Sequence, residues 1–166
     1  MKTRVLVAIL CASVICTLSG LRAQERSSWD DYIPRTFQSV IDQHAESARS
    51  TDFLFTGDNF PSRATVTYTG QKRTLPAKRA EFVVKYFKNV LHQPEHAALF
   101  KSEILVREGA RELWVPIQES LLPSLSSEVA AGGQVTLFAI WLGAFRQGKS
   151  VEWVFAINEF EASGSG

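Results

Sequence analysis

The stretch Gly132–Ala162, GGQVTLFAIWLGAFRQGKSVEWVFAINEFEA, decides the fold. Its most apolar part, Val135 to Phe145, is 11 residues long. A membrane-spanning helix needs about 20 residues, so this run is too short to be one. It is followed by Arg146-Gln147-Gly148-Lys149 and then by a second apolar run. Two such runs around a glycine-containing turn predict a β-hairpin. With Gln147-Gly148 at the tip, Ala144 faces Val151, Leu142 faces Trp153, Ile140 faces Phe155 and Phe138 faces Ile157. That face is wholly apolar. The other face carries Trp141, Ala139, Leu137 and Val135 beside Glu152, Val154, Ala156, Asn158 and Phe160, and is mostly apolar too. A half-exposed hairpin alternates apolar with polar, so this one is expected to be covered on both sides. Each large side chain buried there contributes roughly 1.5–3 kcal/mol. The hairpin is therefore the expected heart of the core, with Trp153 opposite or near Leu142.

Upstream of the hairpin, Glu119–Val129 reads as a short helix with Pro123 in its first turns, stopped by AAGG. SEILVRE and RELWVPIQ flank Gly109-Ala110 and predict another hairpin, in which Pro116 marks an edge or a bend. Pro76 opens the strongest helix, with Ala80, Val83, Val84, Phe87 and Leu91 as its apolar stripe. RATVTY (63–68), Gly70-Gln71 and KRTL (72–75) fit strand, type II′ turn and return strand. Pro34 precedes an amphipathic helix at about 35–49, whose stripe is Phe37, Val40, Ile41, His44, Ala45 and Ala48.

The expected order is α-ββ-α-ββ-α-ββ, without the βαβ alternation of a doubly wound sheet. It predicts an α+β domain over 34–161: an antiparallel, strongly curved sheet or small barrel built from hairpins, with about three packed helices. A helix just before a terminal hairpin is similar, in topology alone, to the OB-fold.

The first 23 residues have the basic, apolar, small-residue order of a secretory signal peptide, with Lys2 and Arg4 leading and cleavage expected after Ala23. Residues 24–33 read as a flexible lead and 162–166 as a disordered tail. Cys11 and Cys16 both lie in the leader, each preceded by a large apolar residue unlike a lipidation site. The mature chain would then have no disulfide, thiol nucleophile or cysteine-bound metal. The expected location is exported, periplasmic or secreted. Cleavage removes Lys2, Arg4 and Arg22 but no acid, so 18 basic residues fall to 15 against 17 acidic. The resulting formal charge of −2 gives no warrant for nonspecific nucleic-acid binding.

No nucleophile elbow, Walker loop or dinucleotide loop is present. His92 and His96 have i,i+4 spacing with Glu95 between them, but Pro94 breaks the helix that a two-histidine metal site needs and no third ligand is evident. No metal or other cofactor is expected. His44 has no carboxylate on its own helix face to make it a general base, because Asp42 points elsewhere. Asp30-Asp31 stand on the lead, whereas Glu108, Glu112, Glu152 and Glu159 lie on or beside strands, where carboxylates can line a hydrolytic cleft. Lys72, Arg73, Lys78 and Arg79 in KRTLPAKR, near Phe82 and Tyr86, are the candidate contacts for an anionic ligand. The leading expectation is a non-enzymatic binding module for a protein partner, an envelope component or a small ligand. The alternatives are an envelope-polymer hydrolase using sheet carboxylates and an oligomerising subunit with an aromatic interface.

Overall fold

The computed structural model describes residues 29–58 and 60–163. The expected signal peptide (1–23), residues 24–28 of the expected lead and residues 164–166 of the expected tail lie outside the described residues. The chain divides after Asp31, and the unit that begins at Tyr32 carries the sheet. Its elements are β1 (Ile33–Pro34), α1 (Phe37–Ser50), β2 (Phe53–Phe55), β3 (Ser62–Thr74), α2 (Ala77–Asn89), a 3-10 segment (Pro94–Leu99), β4 (Phe100–Glu108), β5 (Arg111–Gln118), a second 3-10 segment (Glu119–Leu121), α3 (Leu122–Glu128), β6 (Gln134–Gln147) and β7 (Ser150–Ala162). The protein is thus mixed α+β.

Each helix forms for a local reason. α1 begins at Thr36, whose hydroxyl accepts from the Ser39 amide at 3.0 Å. Two further amides of its first turn, Phe37 N and Gln38 N, donate to the Glu108 carboxylate at 2.9 and 2.8 Å. A carboxylate satisfies both the orphan donors and the positive end of the helix dipole. Glu108→Ala is expected to lower stability by about 1–2 kcal/mol; a chemical denaturation midpoint equal to wild type would show that the cap is idle. α2 buries Arg79, Phe82, Val83, Tyr86 and Phe87. The expected stripe is therefore turned: Val84 is 49% exposed and the larger Phe82 and Tyr86 are buried instead. Aromatic rings remove more apolar area from water than Ala80 and Val84 can, and they fix the helix rotation.

The expected Gly70-Gln71 hairpin turn does not form. Ser62–Thr74 is one continuous strand, and the β3–β4 register shifts between Tyr68 and Lys72. Gly70 has φ +81° within this bulge, and a Cβ there would lie 2.7 Å from the Ala131 Cβ. A glycine with positive φ serves a two-residue turn and a bulge equally well. Partners decide between them here: β3 pairs with β6 through Ser62–Thr67 and with β4 from Thr67 to Thr74.

The β6–β7 hairpin forms, but in a different register. Its turn is Gly148-Lys149, so Arg146 faces Val151, Ala144 faces Trp153 and Trp141 faces Phe155. The register shifts between Trp141 and Gly143 and again between Phe138 and Ala139. Each shift swaps the faces of every later residue. One face places Trp141, Ala144, Trp153, Phe155 and Ile157 in a core shared with α1, α3, β3, β4 and β5. The other places Ile140, Leu142, Phe145, Val154 and Ala156 against α2. Burial on both faces holds as expected. Trp153 does not face Leu142; it lies 6.0 Å from Trp141, centroid to centroid.

Gly143 permits the close approach of β2. Its φ is +135°, and a Cβ would stand 1.9 Å from the Leu54 carbonyl oxygen. Gly143→Ala is expected to cost about 1–3 kcal/mol, the range of single strained residues, by forcing β2 away from β6. Amide exchange of residues 53–55 should then quicken, and unchanged exchange would contradict this.

The sheet has seven strands in the order β1-β3-β4-β5-β7-β6-β2, with an additional β3–β6 pairing. The pairings β3–β4–β5–β7–β6–β3 therefore return to their start. The ladders are antiparallel except β1–β3 and β5–β7, which are parallel. The end of the expected lead is held in this structure. Ile33 pairs with Ser62, and Tyr32 accepts at its hydroxyl from Asn158 Nδ2 at 2.9 Å. Ala162, expected in the tail, pairs with Val135.

Candidate functional site along the β5–β7 seam

β5 and β7 meet at a single bridge, Ile117 to Ile157. Pro116 precedes that bridge and has no amide hydrogen to offer, so the strand edge is interrupted there. Arg79 fills the gap from the first turn of α2. One guanidinium nitrogen donates to the Trp114 carbonyl of β5 at 2.7 Å and to Glu103 Oε2 at 3.0 Å. The other donates to the Trp153 carbonyl of β7 at 3.0 Å and to Glu152 Oε2 at 3.2 Å. A planar fork is the side chain suited to span two strands in this way.

Glu103 is fully buried, so its charge needs partners. Arg73 supplies the second, pairing with Glu103 Oε1 while its guanidinium lies 4.0 Å from the Trp114 ring centroid. The four basic residues expected to contact an anion thus have different surroundings. Arg73 and Arg79 meet on Glu103. Lys78 donates to the Arg146 carbonyl at 3.0 Å and lies 5.2 Å from the centre of the Phe145 ring. Lys72 is exposed on β3 and pairs in register with Ile104. Of the carboxylates, Glu108 caps α1, Glu159 accepts from the Phe160 amide, and Glu112 and Glu152 line one cleft.

That cleft, of about 240 Å³, opens where the strands part beyond Arg79 and is lined by Trp114, Leu113, Glu112 and Glu152. A second, of about 320 Å³, lies toward α1 and is lined by Ile41, Asp42, Ala45, Arg49 and Lys149. Arg111, Val151 and Trp153 line both. Arg111 and Lys149 come from the ends of two hairpins and Arg49 from the last turn of α1. Among the described residues none of the three has an ion pair or a side-chain hydrogen bond. Sequence reasoning missed them because each is a lone charge beside a turn or helix end, far from the others along the chain.

His44 packs against Trp141 at 4.3 Å and Phe60 at 4.9 Å, and its Nε2 is buried without a hydrogen-bond partner among the described residues. Burial lowers its pKa from 6.5, opposed by the charge of Asp58. A lowered histidine pKa favours the neutral ring in the folded state. The associated stability is present above pH 6.5 and is lost as pH falls through the folded-state value. Stability is expected to decline on acidification below about pH 6.5, and His44→Phe should flatten that decline; parallel pH profiles of the two proteins would count against it. No group of three or more potential metal ligands occurs among the described residues. His92 and His96 are separated by a break in the helix, with His92 at φ +56°.

Compared with the models of known protein families and with curated proteins, the chain matches none.

Proposed function

We propose that this protein is an exported binding module on an OB-like five-stranded barrel, β3–β4–β5–β7–β6, and that its ligand is an envelope component held along the β5–β7 seam. The circular strand order, the parallel β5–β7 pair and α3 standing between the third and fourth strands of the circuit support the OB-like reading. OB-folds bind on the face of their second and third strands with help from the loop between strands four and five. The equivalents here are β4–β5 and the β6–β7 turn that carries Lys149. The order of residues 1–23 supports export.

The observation that carries the site is that two clefts meet on Arg111, Val151 and Trp153 where the strands part. Glu112 and Glu152 already hold arginine partners, Arg107 and Arg79, which supports binding over hydrolysis. The test is a thermal melt of the full chain with protein, lipid and polymer fractions of a cell envelope. One fraction is expected to raise the melting midpoint, and Arg111→Glu, a change at an exposed position, should abolish the rise. A rise that survives in Arg111→Glu would remove the seam from consideration.

A further inference from the structure

From the ring contacts His44–Trp141–Trp153 and the buried Nε2 at their outer end, we infer that His44 is a proton-operated switch. Neutral, its ring seats on Trp141; protonated, it turns toward Asp58, and the Trp141–Trp153 pair beside the seam clefts repacks. The switch acts on the cleft walls and does not depend on what enters them. Trp141 is fully buried, and the His44 ring is part of its cover, 4.3 Å away with the planes 34° apart. Trp153 lies 6.0 Å from the same indole and lines both clefts. α1 makes a second connection, since its residues Ile41, Asp42, Ala45 and Arg49 line the second cleft. A change at the His44 ring therefore meets the clefts through two packed routes, a pair of indoles and a helix. Close-packed interiors transmit such changes because side chains have few alternative arrangements.

The chemistry of the ring gives it two seats. A neutral imidazole can leave one nitrogen as an acceptor, which an aromatic surrounding tolerates. Protonation turns both nitrogens into donors, and Nε2 then needs an acceptor. Trp141 offers none, because indole Nε1 is itself a donor. The attraction of a cation to an indole face leaves that new donor unsatisfied. The surrounding charges decide where the ring goes. β6 presents the uncharged Trp141. The segment before β3 presents Phe60 and Asp58, and the guanidinium of Arg35 lies 5.5 Å from the Phe60 ring centre. On α1, Asp42 and Glu46 stand two positions before and after His44, which puts both on the opposite side of the helix. Asp58 is therefore the anion that draws the protonated ring. In the seated ring, burial outweighs Asp58 and holds the pKa below 6.5. The switch thus works in the range where histidine alone among unperturbed side chains changes charge.

The experiment follows imidazole and indole signals of the isotope-labelled full chain by NMR from about pH 7.5 to about pH 5. The His44 ring is expected to titrate with a midpoint below 6.5. The Nε1 signals of Trp141 and Trp153 should move with that same midpoint. The ratio of turned to seated ring should rise by up to about tenfold per pH unit. Backbone amides of β4 and β5 should stay in place over the range, which separates the switch from acid unfolding. In His44→Phe both indole signals should stop responding to pH. Asp58→Asn should lower the His44 midpoint, because the charge that favours the proton is gone. Indole signals that still move in His44→Phe, or that stay fixed in the wild type while His44 titrates, would overturn the switch. So would β4 and β5 amides that are lost together with the indole shift. If His44→Phe does not fold, Asp58→Asn decides: an unchanged midpoint there would overturn the second seat and the switch with it.

Discussion

Arg79→Ala is expected to cost about 3–5 kcal/mol of stability, the range for removing one partner of a buried ion pair. Glu103 would keep its burial and retain only Arg73, whose side chain is 45% exposed. The carbonyls of Trp114 and Trp153 would each lose a donor at the place where β5 and β7 part. Arg79→Lys should recover only a fraction, because a single ammonium cannot reach two carbonyls and two carboxylates in one plane. Replacing Arg79 and Glu103 together with apolar residues of similar size should recover much of the loss, since no uncompensated charge is then left inside. Urea denaturation of the three variants gives the comparison. A loss below about 1 kcal/mol for Arg79→Ala would mean that solvent reaches the network and that it behaves as a surface pair.

Trp141→Ala is expected to be as damaging, at about 3–5 kcal/mol. Trp141 is fully buried and packs against His44, Phe60 and Trp153. Truncation leaves a cavity where α1 and the closing hairpin meet, and such a loss is a large share of a domain's total of about 5–15 kcal/mol. Trp141→Phe should behave differently. Indole Nε1 has no hydrogen-bond partner among the described residues, so the tryptophan carries the cost of an unpaired buried donor. Phenylalanine removes that donor as well as some volume, and a net loss under about 1.5 kcal/mol is expected. Equal losses for the two variants would show that Nε1 is satisfied in solution.

Long periodic segments were legible in the sequence: α1, α2 and the β4–β5 hairpin follow from apolar spacing and turn chemistry that act within a few residues. The failures share another cause. Gly70 carries the same local signature in a bulge as in a turn, and only the remote partners β4 and β6 distinguish the two. In the closing hairpin, Gln147-Gly148 and Gly148-Lys149 are equally plausible turns, and of the two shifts that move Trp153 to the face of Trp141 only one carries a local mark, the isolated Gly143 within the strand. The site was less legible still. Arg79 sits in a run of basic residues that reads as a contact for an anionic ligand, and the gap that it fills is made by strands distant along the chain. Arg49, Arg111 and Lys149 become neighbours only after the sheet has formed.

The β3–β6 ladder is expected to set the tempo of folding. Thr65 and Thr136, 71 positions apart, share a side-chain hydrogen bond across it. Closing so long a loop costs entropy before any contact is gained. Chains dominated by such distant pairings refold in milliseconds to seconds rather than microseconds. Half of β3, all of β2 and both apolar clusters use β6, so a nascent chain ending before Gln134 lacks the strand that completes them. Collapse to the native state must wait for the final hairpin, and pulse-labelling should find the amides of β3 and β6 protected in one concerted step.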